Sequence, residues 1–193
     1  MKLLLIRHGP TEWNAIKRIQ GRTDNPLSDT GIDLVMRYRI PNQWKSVGWY
    51  SSPLIRAKQT ADILGLTNVV IEPALTEMHW GDWEGQILKP LRRKLGDMMR
   101  DNEANGLDFR PPNGESPRDV QERLAAWLHS IAENQTNCGA VVHKGIVRCV
   151  YALAHSWDMR GESPIQFDWN SAHEFEFDKN GALTPYYKSI PLL

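Results

Sequence analysis

Cysteine and long hydrophobic runs are both scarce in this chain of 193 residues. Its two cysteines cannot form a disulfide framework, and no Cys-x-x-Cys pair predicts a zinc site. The amino-terminal apolar run extends only from Leu3 to Ile6 before Arg7 ends it. Four apolar residues are too few for a signal-peptide core or a membrane span. We therefore expect a cytoplasmic, soluble protein with no membrane partner.

Net charge is also absent, because 23 Lys and Arg residues balance 23 Asp and Glu residues. No overall field favours nucleic acid or an anionic membrane as a partner, so any basic site must be local. Apolar residues make up 41% and charged residues 24%, which is typical of a globular protein and excludes a disordered one. The length suits one domain over residues 1–193, whose core needs no metal or disulfide.

Segments typical of strands and of helices alternate along the chain. Short apolar and β-branched runs predict buried strands, whereas amphipathic segments with capping residues predict helices. This alternation predicts an α/β fold with a largely parallel sheet. A charged stretch around 86–113 predicts a helical insertion over one face. The predicted strands are 2–6, 47–50, 69–71, 140–142, 166–177 and 182–187; the predicted helices are 28–39, 56–64, 86–105, 116–134 and 145–154.

Side chains suited to phosphate chemistry follow the predicted strands, at the sheet edge where α/β folds bind ligands. They are Arg7-His8-Gly9, Arg56, Glu77 and His143-Lys144-Gly145. Arginines and the N–H groups at a helix start can bind a phosphate monoester, and a neutral imidazole can attack its phosphorus. A carboxylic acid can then protonate the leaving alkoxide. No cluster of metal ligands is evident, so we expect Arg and His to neutralise the charge.

Five motifs in order give the chain its resemblance to the histidine phosphatase superfamily, also called the phosphoglycerate mutase-like family. They are 5–14 (LIRHGPTEWN), 20–28 (QGRTDNPLS), 51–61 (SSPLIRAKQTA), 75–85 (LTEMHWGDWEG) and 142–145 (VHKG), with a Gly-Glu-Ser turn in 112–116 (PNGES). The resemblance implies a three-layer sandwich, with a mostly parallel central sheet flanked by helices.

The resemblance also implies roles for individual residues. His8 is the implied nucleophile and Glu77 the implied proton donor. The implied phosphate-binding residues are Arg7, Asn14, Arg56 and His143. The implied substrate-side residues are Gln20, Gly21, Trp80, Glu115, Lys144 and Gly145. No metal or cofactor is implied.

Three of these positions keep alternatives open. Asn14 can cap the segment that follows it instead of contacting phosphate. Glu115 can be a turn carboxylate or a second acid near the pocket. Lys144 departs from many relatives, which have a small or neutral residue there, and it adds a cation at the pocket mouth.

The resulting hypothesis is a metal-independent phosphatase of the histidine acid type. It would hydrolyse a small phosphorylated metabolite through a phosphohistidine on His8. The chain is shorter than typical cofactor-dependent mutases, and its 77–85 segment is closer to phosphatase branches. The alternatives are a phosphoglycerate mutase primed by bisphosphoglycerate and a catalytically silent module that binds a phosphorylated ligand. An isologous homodimer is the commonest assembly for such enzymes.

Overall fold

A six-stranded mixed sheet forms the centre of the computed structural model, which describes residues 1–193. The order across the sheet is β3-β2-β4-β1-β5-β6. The first four strands in this order are parallel to one another, whereas β5 runs antiparallel to both of its neighbours, β1 and β6. The strands are β1 (Lys2–Arg7), β2 (Gly48–Ser51), β3 (Val70–Ile71), β4 (Cys138–Val142), β5 (Ser171–Phe177) and β6 (Leu183–Pro191).

Seven helices flank the sheet, so the predicted α/β class is confirmed. None of them is both long and apolar enough to cross a membrane. They are α1 (Glu12–Ala15), α2 (Asp29–Met36), α3 (Ile55–Ile63), α4 (Leu88–Leu95), α5 (Asp97–Glu103), α6 (Pro117–Ala132) and α7 (Lys144–His155).

Strand β1 shows why its sequence is continuously apolar. Leu3 and Leu5 pack into a large core with residues of α6 and α7. Leu4 and Ile6 point to the opposite face and pack with α2 residues and buried tryptophans. Alternate side chains of a strand face opposite sides of its sheet, so a strand covered on both faces has no polar positions.

Several elements differ from the sequence predictions. The predicted helix over 86–105 is interrupted at Gly96, whose φ of +55° separates α4 from α5. The strand predicted from 166 begins only at Ser171, because Asp168 binds the N–H of Asn170 and the hydroxyl of Ser171 in a turn. Helix α1 is not among the predicted helices, because its four residues are too few to show an amphipathic pattern.

Candidate active site

The carboxyl ends of β1, β2 and β4 bring the central residues of the site together. Arg7 pairs with Val142, and the next residue, His8, donates its N–H to the Val142 carbonyl at 2.9 Å. Ser52 similarly donates to the Val141 carbonyl at 3.0 Å. The rings of His8 and His143, which follow β1 and β4, have centroids 5.1 Å apart.

A cavity of about 680 Å³ opens at this edge. Ten of the twelve predicted site residues line it: Arg7, His8, Asn14, Gln20, Gly21, Arg56, Glu77, Trp80, Lys144 and Gly145. His143 is fully buried beside His8, whereas Glu115 lies outside the cavity lining.

His8 is held as a neutral imidazole with one free nitrogen. Its Nδ1 lies 2.6 Å from the Gly9 carbonyl oxygen. Because a carbonyl only accepts, Nδ1 carries the proton and Nε2 keeps its lone pair. Burial, together with the charges of Arg7 and Arg56, holds the pKa of His8 well below its usual range. At neutral pH the ring is therefore able to act as a nucleophile.

Three buried nitrogens around His8 have no hydrogen-bond partner in the chain. They are Nε of Arg7, Nε of Arg56 and Nδ1 of His143. The other ring nitrogen of His143 lies 2.7 Å from the Ser52 hydroxyl. Burial lowers the pKa of His143 well below its usual value, with further contributions from Arg56 and His8. Buried polar groups are rarely left unpaired, so this set fits an anion that presents several oxygens.

Arg56 is 1% exposed, and its guanidinium is partly held by the backbone. Its two terminal nitrogens donate to the carbonyls of Thr23 at 2.8 Å and Gly21 at 2.7 Å. Gly21 has a φ of +54°, and a Cβ there would lie 2.0 Å from a carboxylate oxygen of Glu84. Glycine is therefore required at position 21, where its carbonyl holds Arg56, and only part of the guanidinium fork is left for a ligand.

Glu84 fixes the loop that supplies those carbonyls. Its carboxylate accepts hydrogen bonds from the N–H groups of Arg22 and Thr23, both at 2.8 Å, and from the Thr23 hydroxyl at 2.6 Å. It also accepts from the N–H of Trp80 at 3.2 Å. The side chain thus joins the 20–28 motif to the 75–85 motif in which it lies.

Glu77 is held against the start of α7. One carboxyl oxygen accepts from the N–H of Met78 at 2.9 Å and the other from the N–H of Gly145 at 3.0 Å. A Cβ on Gly145 would lie only 2.3 Å from the first oxygen, so glycine is required for this close approach. The sequence suggested the Gly145 N–H as a phosphate donor; in the structure it positions the carboxyl group instead.

Asn14 makes the capping contact that was one of its two alternatives. Its Oδ1 accepts from the N–H of Thr11 at 2.9 Å and completes a capping box at α1. This leaves its Nδ2 for a ligand in the cavity. The Thr11 hydroxyl also donates to Gln20 at 2.9 Å, which fixes the Gln20 side chain on the cavity wall.

Glu115 is surrounded by donors that belong to the protein. Its carboxylate pairs with Arg22 at 2.7 Å and Arg123 at 3.3 Å, and it accepts from the N–H of His79 at 2.9 Å. These contacts place it as a turn carboxylate. Trp80 lines the cavity and packs edge-on against Phe109, with ring centroids 5.6 Å apart.

Some residues of the site were missed by the sequence reasoning. Ser52 orients His143, and its position directly after β2, in the Ser-Ser-Pro motif, could have indicated it. Trp169 lies under both Arg7 and Lys144, with each cation 5.4 Å from a ring centroid. Trp169 lies over 160 residues from Arg7 in the chain, and no motif in the sequence indicated that it belongs to the site. No group of three or more His, Cys, Asp or Glu side chains is arranged to hold a metal ion.

Known proteins resemble this chain over most of its length. The profile of the histidine phosphatase superfamily (branch 1) matches residues 3–187. Phosphoglycerate mutase-like protein 4 of Arabidopsis thaliana is 29% identical over 187 residues, covering 92% of this chain and 81% of that protein. The metal-independent phosphoserine phosphatase of the same plant is 31% identical over 160 residues, covering 78% and 67%. The crystal structure of phosphoglycerate mutase from Thermus thermophilus superimposes with a TM-score of 0.71 at 28% identity, covering all of both chains.

Proposed function

Since this chain belongs to the histidine phosphatase superfamily, we propose that it is a phosphomonoesterase that hydrolyses a small phosphorylated metabolite through a phosphohistidine on His8. The observation that carries the proposal is the set of three unpartnered nitrogens, from Arg7, Arg56 and His143, beside a neutral His8. Together they fit a phosphoryl group at the point where His8 Nε2 can attack it.

Two displacement steps account for the reaction. In the first, Nε2 of His8 forms a bond to phosphorus and the phosphorus–oxygen ester bond breaks. The leaving alcohol takes a proton from the Glu77 carboxyl group. In the second, water attacks the phosphohistidine and returns a proton to Glu77, which frees His8 and inorganic phosphate. Arg7, Arg56 and His143 stabilise the charge on the phosphoryl oxygens during both steps.

The name of one relative, a metal-independent phosphoserine phosphatase, supports hydrolysis. The names of two others support a second candidate, a phosphoglycerate mutase. In that reaction phospho-His8 would return its phosphoryl group to the other hydroxyl of the substrate instead of to water. The two candidates are separated by incubating the protein with a phosphoglycerate and bisphosphoglycerate: a mutase interconverts the isomers faster than phosphate appears.

The decisive experiment measures phosphate release from a panel of phosphomonoesters without added metal. Rapid quenching at alkaline pH should trap a base-stable, acid-labile phosphoryl group on His8. His8→Ala should lose both the label and turnover while it remains folded. His129→Ala, at an exposed histidine far along α6, is the matched control and should keep both. Release of phosphate by the His8 variant within about tenfold of the wild-type rate, ~1.4 kcal/mol, would refute the nucleophile assignment.

A further inference from the structure

The cavity carries more positive charge than one phosphate group requires. Arg92 and Arg100 also line it, but they pair with Glu103 and Asp97. Four other basic side chains line the cavity without forming an ion pair: Lys17, Arg18, Lys144 and Arg148. The whole chain, by contrast, has a net charge of zero. The excess of cations is therefore concentrated at this site.

Lys144 and Arg148 form the most constrained pair among these cations. They lie four residues apart on α7, so their like charges face the same side of the helix and repel. The Arg148 guanidinium lies 5.3 Å from the ring centroid of Trp157, and its Nε is buried without a hydrogen-bond partner. Burial lowers the pKa of Arg148, and burial with the charge of Arg7 lowers that of Lys144. Neither cation forms an ion pair with a carboxylate of the chain, and the Glu77 carboxyl group, which partly offsets the lowering of the Lys144 pKa, is the nearby acidic group on this wall.

The charges at the phosphoryl pocket are already balanced. A phosphate monoester carries about −1.5 to −2 charges at neutral pH. Arg7 and Arg56 supply two positive charges, while His8 and His143 are neutral and Glu77, the proton donor of the proposed first step, carries no charge before it gives up its proton. Lys144 and Arg148 remain as two further positive charges on the same cavity wall. Lys144 shares the Trp169 ring with Arg7, which connects the two pairs of cations in space.

We infer that Lys144 and Arg148 form a second anion-binding subsite, so that the substrate carries a second phosphate group some distance from the one transferred. The inference rests on the proposed phosphomonoesterase function for the identity of the first group. A bisphosphorylated metabolite places one phosphate against His8 and the other against the face of α7. A carboxylate carries half the charge and satisfies the subsite less well.

Binding of non-hydrolysable probes tests the subsite independently of turnover. Calorimetry on the wild-type protein should compare propylphosphonate, 3-phosphonopropanoate and a series of α,ω-alkanediphosphonates with two to four methylenes. We expect the best diphosphonate to bind at least about tenfold more tightly than propylphosphonate, with the phosphonocarboxylate between them. If no diphosphonate is preferred over propylphosphonate, the inference is overturned, whether or not the protein hydrolyses phosphomonoesters.

Variants assign the preference to the two residues. Lys144→Gln and Arg148→Gln should each reduce the ratio of the two affinities to below about threefold. Lys144→Arg should restore most of it. Lys179→Gln and Arg37→Gln remove the same charges from exposed positions outside the cavity and should leave the ratio unchanged. A preference that survives in both Lys144→Gln and Arg148→Gln would overturn the assignment. Lys144 lies at the first turn of α7 and forms no ion pair, so its variants keep the test valid even if Arg148→Gln does not fold.

Discussion

The approach of Gly145 to Glu77 provides a sharp test of the acid role. In Gly145→Ala the new Cβ would lie 2.3 Å from a Glu77 carboxyl oxygen, which is far shorter than a van der Waals contact between carbon and oxygen. The carboxyl group must withdraw by roughly 1 Å, and a displacement of that size at a reacting group costs about 100-fold in rate. The withdrawal also weakens the 3.0 Å hydrogen bond from the Gly145 N–H.

The size of the effect depends on the leaving group. An alkoxide needs a proton in the transition state, whereas a nitrophenolate leaves without one. We therefore expect Gly145→Ala to slow the phosphorylation of His8 by alkyl phosphates about 100-fold, or ~2.7 kcal/mol. Phosphorylation by 4-nitrophenyl phosphate should change by less than about threefold. Alanine is a better helix former than glycine by roughly 0.5–1 kcal/mol, so the variant should not lose activity through unfolding.

Rapid-quench measurements of the first turnover separate this step from hydrolysis of the phosphohistidine, which is common to all substrates. Gly48→Ala is the control, because a Cβ on Gly48 meets no atom within 4 Å. Equal slowing with both classes of substrate would show that the variant damages the phosphoryl pocket and not proton donation. An unchanged rate with alkyl phosphates would remove Glu77 from the acid role.

Three further predictions follow from the same contacts. Glu77→Gln should slow the phosphorylation of His8 by alkyl phosphates at least about tenfold more than its phosphorylation by nitrophenyl phosphate. Glu115→Gln should show no such difference between the two substrates, because Glu115 is held by Arg22 and Arg123. Arg56→Lys should lower kcat/KM by roughly 30–1,000-fold, or about 2–4 kcal/mol, because lysine lacks the planar guanidinium that binds the loop and the ligand at the same time. A near-normal kcat/KM would contradict this. Burial lowers the pKa of His173 to about 4, so below pH 6.5 the unfolded chain takes up a proton that the folded chain does not. The free energy of unfolding should therefore fall by about 3 kcal/mol between pH 6.5 and 4 from this residue, and His173→Gln, but not His129→Gln, should flatten that part of the pH profile in denaturant titrations.

The sheet could be predicted because its strands obey simple rules. The run from Leu3 to Ile6 is buried on both faces, and Cys138–Val142 is fully buried, so both are continuously apolar. Parallel strands then place the residues that follow them at one edge. This is why His8 and His143 could be expected to meet from the sequence alone.

Long-range polar contacts could not be predicted in the same way. The bonds of Arg56 to the carbonyls of Gly21 and Thr23 and the bond of Gly145 to Glu77 join residues 33 to 68 positions apart. No local propensity encodes such pairs. These contacts also changed the interpretation of the site, because they engage the Arg56 guanidinium and the Gly145 N–H, which the sequence suggested as phosphate donors. The roles assigned to the site residues stay predictions until the variants are measured.

The position of Glu84 has a consequence for the construction of chimeras. Its carboxylate holds the loop around Arg22 and Thr23, and that loop in turn holds Arg56. The segments 20–28 and 75–85 therefore depend on each other for their structure, although about 60 residues separate Glu84 from Arg22 in the chain. A recombinant that takes 20–28 from one homologue and 75–85 from another combines Glu84 with a loop from a different protein. A recombinant that exchanges both segments together keeps the original pairing of Glu84 with its loop.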